Sequence, residues 1–202
     1  MRVVALISGG KDSFYSIMEC TRMGHKVVAL ANLHPPSTSS DEMDSFCFQT
    51  VGHDVIMAYA ECLEIPLVRQ EISGKAVNQE LGYVQTKGDE VEDLTLLLEK
   101  VQREIPDVEA VCSGAILSNY QRLRVENVCT RLGLVSLAYL WQRRQEELLP
   151  EMVSKGINAI VIKVASMGLK VKMLGKSLAE LNPVFTKLNG EMGLHICGEG
   201  QA

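Results

Sequence analysis

Ser8-Gly9-Gly10-Lys11-Asp12-Ser13 lies between an uninterrupted apolar run, Val3 to Ile7, and a stretch in which Phe14, Ile17, Met18 and Thr21 recur at helical spacing. The apolar run is short and rich in valine, the pattern of a strand buried on both faces. A strand, a glycine turn and the start of a helix together aim backbone N–H groups at an anion. The glycines allow close approach, and the open helix terminus adds partial positive charge. Lys11 adds a full one. The hexapeptide is therefore predicted to hold a phosphate-rich ligand.

Working outward, Lys26 to Asn32 reads as a second buried strand, followed by a loop from Leu33 to Asp44 that carries Asp41, Glu42 and Asp44. The spacing of Phe48, Val51, Val55, Ala58 and Cys62 predicts a helix beginning at Phe48, with Gln49 and His53 together on another face. Pro66 opens a third strand, Leu67 to Ile72, and Ser73 to Gly88 is an aperiodic loop of a length that is usually functional. A helix from Asp89 turns Val91, Leu94, Leu98 and Val101 inward. Glu109 to Ser113 forms a fourth strand ending at Gly114. A helix from Ser118 buries Val125, Val128, Cys129 and Leu132, and Val135 to Tyr139 is a fifth strand.

Five strands alternating with helices imply an α/β domain with a parallel sheet covered on both faces and right-handed crossovers. Ligands of such sheets bind beyond the carboxyl ends of the strands, near the point where strand order reverses. Ser8, Leu33 and Gly114 all fall at strand ends. The expected domains are residues 1–140, the nucleotide-binding part, and residues 141–202, a smaller α/β lobe. In that lobe helices are expected over Gln145–Lys155 and about Ser177–Glu191, with strands at Ala159–Val164 and Leu194–Cys197.

Composition narrows the classes of function. With 47% hydrophobic and 22% charged residues in 202, the chain can build a packed core. No apolar stretch approaches the ~20 residues of a membrane span, and no signal peptide is read, so a cytoplasmic location is expected. A net charge of −5 argues against a surface that grips nucleic acid. The six cysteines have no metal-ligand spacing and are expected to be buried, reduced thiols.

Two further stretches carry charge where chemistry could use it. Asp89 and Glu92 form a D-x-x-E capping box, which leaves Glu90 and Asp93 as candidates to place Mg²⁺ or attract ammonium. Ser118 and Gln121 form a second box, after which Arg122 and Arg124 sit at the positive end of a helix. There they either contact a phosphate or substrate carboxylate, or form a solvated face.

The hexapeptide is neither the G-x-x-x-x-G-K-[ST] loop nor the dinucleotide G-x-G-x-x-G. It is the PP-loop pattern of the ATP pyrophosphatases, which cleave ATP between the α and β phosphates. The resemblance extends further, through Asp41–Phe46, Gln49–His53, Gly88–Leu94, Gly114–Ser118, Tyr120–Arg122, Arg124–Glu126, Leu137–Trp141 and Cys197–Gly200. Over Met1 to Gly200 the chain resembles the diphthine–ammonia ligase branch of that superfamily. The resemblance implies a PP-loop-type sheet of the adenine-nucleotide alpha-hydrolase-like kind. It also implies ATP-dependent amidation, by ammonium, of the diphthine carboxylate on translation elongation factor 2, through an acyl-adenylate with release of AMP and pyrophosphate.

On that basis Ser8, Gly9, Gly10, Lys11, Asp12, Ser13, Leu33 and Gly114 are expected to bind ATP, with Asp12 also holding Mg²⁺. Lys11, Asp12, Arg122 and Arg124 are the catalytic candidates, and Asp44, Gln49, His53, Glu90, Asp93, Tyr120 and Glu199 the substrate-side ones. Where the family continues from Cys-Gly-Glu-Gly into Gly-Glu-[Tyr/Phe]-Glu-Thr, this chain has Gln201-Ala202. It therefore reads as a shortened form whose nucleotide half is complete. The alternatives are a PP-loop tRNA sulfur transferase and a nucleotide-binding form without catalysis; homo-oligomerisation is left open.

Overall fold

The structure, a computed structural model, describes residues 1–36, 43, 45–166 and 168–198, apart from the side chain of Asp54. The expectations for Asp44 and Glu199 lie outside the described residues. The chain divides into two compact units, Met1–Leu140 and Trp141–Ala202.

The first unit is built on strands β1 (Arg2–Leu6), β2 (Lys26–His34), β3 (Leu67–Glu71), β4 (Ala110–Cys112) and β5 (Val135–Leu137). All pair in parallel, in the order β3-β2-β1-β4-β5. Helices α1 (Lys11–Arg22), α2 (Ile56–Leu63), α3 (Glu90–Glu104) and α4 (Asn119–Arg131) connect them. Strand alternation divides the core in two. Val3, Ala5, Leu30 and Cys112 pack with Ile17, Cys20 and Ile56 on one face. Val4, Ala29, Ala31 and Val111 pack with Leu94, Leu98, Val125 and Val128 on the other. The sheet is covered on both faces, as the apolar runs of its central strands β1 and β4 require.

Two helices differ from the periodicity. In α1 the buried residues are Ser13, Tyr15, Ser16, Ile17, Glu19 and Cys20, while Thr21 is exposed and Phe14 is half-buried against Tyr59, ring centroids 4.7 Å apart. Ser16 meets the end of β4, where its hydroxyl donates to the Ser113 carbonyl at 2.8 Å. The helix predicted from Phe48 starts only at Ile56. Gly52 takes a left-handed φ of 76° and leads into a 3-10 turn at His53–Val55, so residues 48–52 are not helical. Phe48 packs on the α3 side of the core, and Val55 and Cys62 are exposed, so the expected stripe does not exist. Five of the six cysteines are buried and Cys62 is exposed.

In the second unit, α5 (Gln145–Ser154) packs on α6 (Leu178–Met192), burying Leu148, Leu149, Met152, Leu181 and Phe185. Ser177 and Glu180 make a complete capping box at the start of α6. The two strands expected here do not form among the described residues. Residues 159–161 make a single antiparallel bridge, Ile160 to Ser177, because the chain beside them turns directly into α6. Residues 194–197 end in a turn. No described helix is long and apolar enough to cross a membrane.

Candidate functional site

Strand order reverses between β1 and β4, and the loop Ser8–Ser13 leaves β1 at that point. Gly9 has a φ of +82°, a conformation that L side chains rarely adopt. Ser13 closes the loop: its hydroxyl donates to the Gly10 carbonyl at 2.8 Å and accepts from the Ser8 amide at 3.4 Å. Gly10, in extended backbone, precedes α1 with no side-chain cap, the kind of helix start that favours an anion.

The loop after β4 presses against this turn. A Cβ on Gly114 would lie 2.9 Å from the Asp12 carbonyl carbon and from the Ser13 nitrogen, so no side chain fits there. On the other side Gln49 reaches the loop, its Oε1 3.4 Å from where a Gly10 Cβ would be. Tyr59, which sequence patterning does not single out, donates to the Gly9 carbonyl at 3.5 Å. Lys11 Nζ meets Asp12 Oδ2 at 2.7 Å, both side chains mostly buried. The second carboxylate oxygen, Oδ1, is buried with no hydrogen-bond partner, an arrangement that costs stability unless something else supplies a positive or donating group. Leu33 puts its side chain into the core on the α3 side, so only its backbone at the end of β2 can border a ligand.

His53 is reached through the sheet rather than through a helix. Arg69 on β3 donates from Nε to Asn32 Oδ1 at 3.0 Å and lies 3.4 Å from His53 Nδ1 through Nη2. Asn32 in turn donates to the Ile7 carbonyl at 2.9 Å, so His53 is tied to the ends of β1, β2 and β3. Neither Asn32 nor Arg69 carries a motif that would mark it in the sequence.

The acidic first turn of α3 serves loops. Asp89 caps the helix through Val91 N at 2.9 Å, and its other oxygen accepts from the amides of Val77 and Asn78 at 3.0 and 2.7 Å. Glu92 does not close the expected box; it holds Arg131 and the Tyr83 hydroxyl instead. Asp93 accepts from Ser73 N, Ser73 Oγ and Gly74 N at 2.8–2.9 Å. Through these bonds Asp93 fixes the start of the 73–88 loop. A Cβ on Gly74 would sit 2.6 Å from the Asp89 carbonyl carbon, so the loop lies directly on the helix. Glu90 accepts from Cys47 N at 3.1 Å through Oε1, while Oε2 is buried without a partner. Burial raises its pKa above the usual carboxylate value against the bonds from Ser45 and Cys47 that lower it.

Arg124 also serves this loop. It is fully buried, and its guanidinium donates to the carbonyls of Asn78, Glu80 and Tyr120 at 2.6, 3.0 and 3.2 Å. The guanidinium carbon stands 3.2 Å from the centroid of the Tyr120 ring. It clamps the 73–88 loop. Tyr120 belongs to the same clamp, its hydroxyl donating to the Asn78 carbonyl at 3.3 Å and its ring facing Phe46 at 6.3 Å. Arg122, two positions from Tyr120 along α4, remains near the surface and pairs with Glu126 at 2.5 Å. Among the described residues no group of three His, Cys, Asp or Glu side chains could hold a metal.

A parallel sheet with Ser-Gly-Gly-Lys-Asp-Ser at its point of reversal defines an α/β protein of the PP-loop class. Residues 1–136 match the family model described as the diphthamide synthase N-terminal domain. The chain belongs to this family, whose curated relatives are named diphthine–ammonia ligase. It is 58% identical to the Schizosaccharomyces pombe protein over 99% of its own length but only 33% of that protein's. It is 55% identical to the Bos taurus protein and 54% to the Homo sapiens protein, in each case over 99% of this chain and 76% of the relative. Among solved structures, the U34-tRNA thiolase NcsA from Methanococcus maripaludis is similar over 95% of this chain and 66% of that one, with a TM-score of 0.43 at 14% identity. A likeness so loose says nothing about substrate.

Proposed function

We propose that this chain carries an ATP-dependent amide ligase that converts the diphthine carboxylate of translation elongation factor 2 to the carboxamide with ammonium. The observation that carries the reading is the uncapped PP-loop at the sheet's point of reversal, in a chain more than half identical to named diphthine–ammonia ligases along nearly its whole length. In the proposed reaction a carboxylate oxygen attacks the α-phosphorus of ATP. The α–β bridging bond breaks and pyrophosphate leaves with its electron pair. Ammonia, formed when ammonium loses a proton to solvent, then attacks the acyl carbon, and AMP leaves as the C–O bond breaks. The α1 amides and Lys11 stabilise the growing phosphate charge, and the loop from β4 holds them in register through Gly114.

The buried, unpartnered Oδ1 of Asp12 is a hard oxygen donor that would suit a divalent cation such as Mg²⁺. Asp12 would hold it, and it would supply charge neutralisation to the polyphosphate. Sulfur transfer to tRNA fits less well. Cys47, on the segment that brings Gln49 to the loop, is buried, and burial together with Glu90 pushes its thiol well above the ordinary value. The test is mass spectrometry of the modified histidine peptide after incubation with ATP and nitrogen-15 ammonium. Incorporation of labelled nitrogen that requires ATP supports the reading; an unchanged carboxylate beside an active relative overturns it.

A further inference from the structure

The second unit holds a cavity of about 330 Å³ between residues 168–176 and α6, a size suited to small ligands or a protruding side chain. Its floor is apolar, formed by Met173, Leu181, Val184 and Leu188. Four lysines, Lys170, Lys172, Lys176 and Lys187, stand around it as exposed side chains, against one acid, Glu191, which pairs with Lys187 at 3.6 Å. Lys170 and Lys172 make no ion pair among the described residues. This is a local reversal of the chain's character. The whole carries −5, yet from Lys163 to Lys187 there are five lysines and a single acid, Glu180. Close backbone packing shapes the wall, since Gly168 has a φ of +86° and a Cβ there would lie 2.7 Å from the Met192 sulfur.

We propose that this pocket docks an acidic segment with an apolar anchor residue on the protein substrate, an inference that rests on the ligase reading above. The lysine rim would steer and orient a negatively charged surface while the floor takes one apolar side chain. A single-stranded nucleic acid would match the charge but not the floor. Such sites stack bases on aromatic rings, and the pocket lining has none.

The test uses the double charge reversal Lys170→Glu/Lys172→Glu, with Lys170→Arg/Lys172→Arg as the conservative control. Binding of fluorescently labelled diphthine-bearing elongation factor 2 is measured without ATP, and turnover is measured separately. The reversal is expected to weaken binding and raise KM for the factor about tenfold, with kcat and the KM values for ATP and ammonium unchanged. The arginine pair should bind as the parent does, and added salt should erase the difference. Equal binding by the reversed and parent proteins would overturn the proposal while leaving the ligase reading intact. Loss of a labelled single-stranded RNA with factor binding unchanged would overturn it in favour of nucleic acid. If the parent produces no AMP with the factor and ammonium, the ligase reading fails, and factor binding alone then decides the docking claim.

Discussion

Gly114 sits so tightly on Asp12 that a single methyl group at position 114 would come within 2.9 Å of the Asp12 carbonyl carbon. The contact joins the two loops on either side of the sheet's reversal, one following β1 and the other β4. Gly114→Ala should therefore displace the PP-loop itself, at a cost of about 1–3 kcal/mol for forcing volume into a packed site. Thermal unfolding and ATP binding should both suffer. An alanine variant with unchanged Tm and unchanged ATP affinity would show that the two loops are not coupled.

Lys11 and Asp12 start a helix and are not core residues, so their replacement by alanine should abolish ATP turnover and leave the fold standing. Removing Asp12 relieves a buried oxygen with no partner but also takes away the carboxylate that pairs with Lys11 at 2.7 Å, so a modest loss of stability is the expected result. Denaturant midpoints beside turnover rates separate these effects. A large loss of stability in either variant would make the pair structural.

Arg122 and Arg124 should behave as opposites. Arg124→Lys loses a planar fork that serves three carbonyls and packs on Tyr120, and about 2–4 kcal/mol of stability should go with it. Arg122→Ala, near the surface and paired with Glu126, should cost well under 1 kcal/mol of stability yet slow turnover. The reverse ranking would return Arg124 to the reacting groups.

Glu90 and Glu92, two positions apart on α3, should respond to pH with opposite sign. Burial raises the Glu90 carboxyl, so the folded protein holds that proton more tightly than the unfolded chain does. Its contribution is present in acid and is lost as pH rises through the raised folded value. Burial also opposes ionisation of Glu92, but Arg131 and Tyr83 outweigh it and lower the pKa. That contribution is present above the usual carboxylate range and is lost as pH falls through it. Glu90→Gln should flatten the decline in unfolding free energy just above the carboxylate range, and Glu92→Gln the decline on the acid side. Matching pH profiles for the two variants would contradict these assignments.

The PP-loop and its sheet are legible in the sequence because each rests on short-range pattern: an apolar run, glycines at fixed offsets, and apolar residues at helical spacing. The 73–88 loop has no period, so nothing local reveals that Asp93 and Arg124 are used to hold it. Both are charged residues beside recognisable motifs, and their partners are backbone groups many residues away. Gly52 misleads in a similar way: its left-handed turn interrupts a stripe whose spacing alone fits a helix. Asn32 and Arg69, which tie His53 to the sheet, become visible only when β2 and β3 are paired in register. The lysine pocket is equally hidden, since its charges come from an irregular segment and from α6.

The central claim, that the Ser8–Ser13 loop directs cleavage between the α and β phosphates, is tested most directly by the fate of α-labelled ATP. With diphthine-bearing elongation factor 2 and ammonium both present, the label should appear in AMP with an equal amount of pyrophosphate, and omission of either substrate should remove net turnover. Label recovered in ADP, with inorganic phosphate as the other product, would contradict the account.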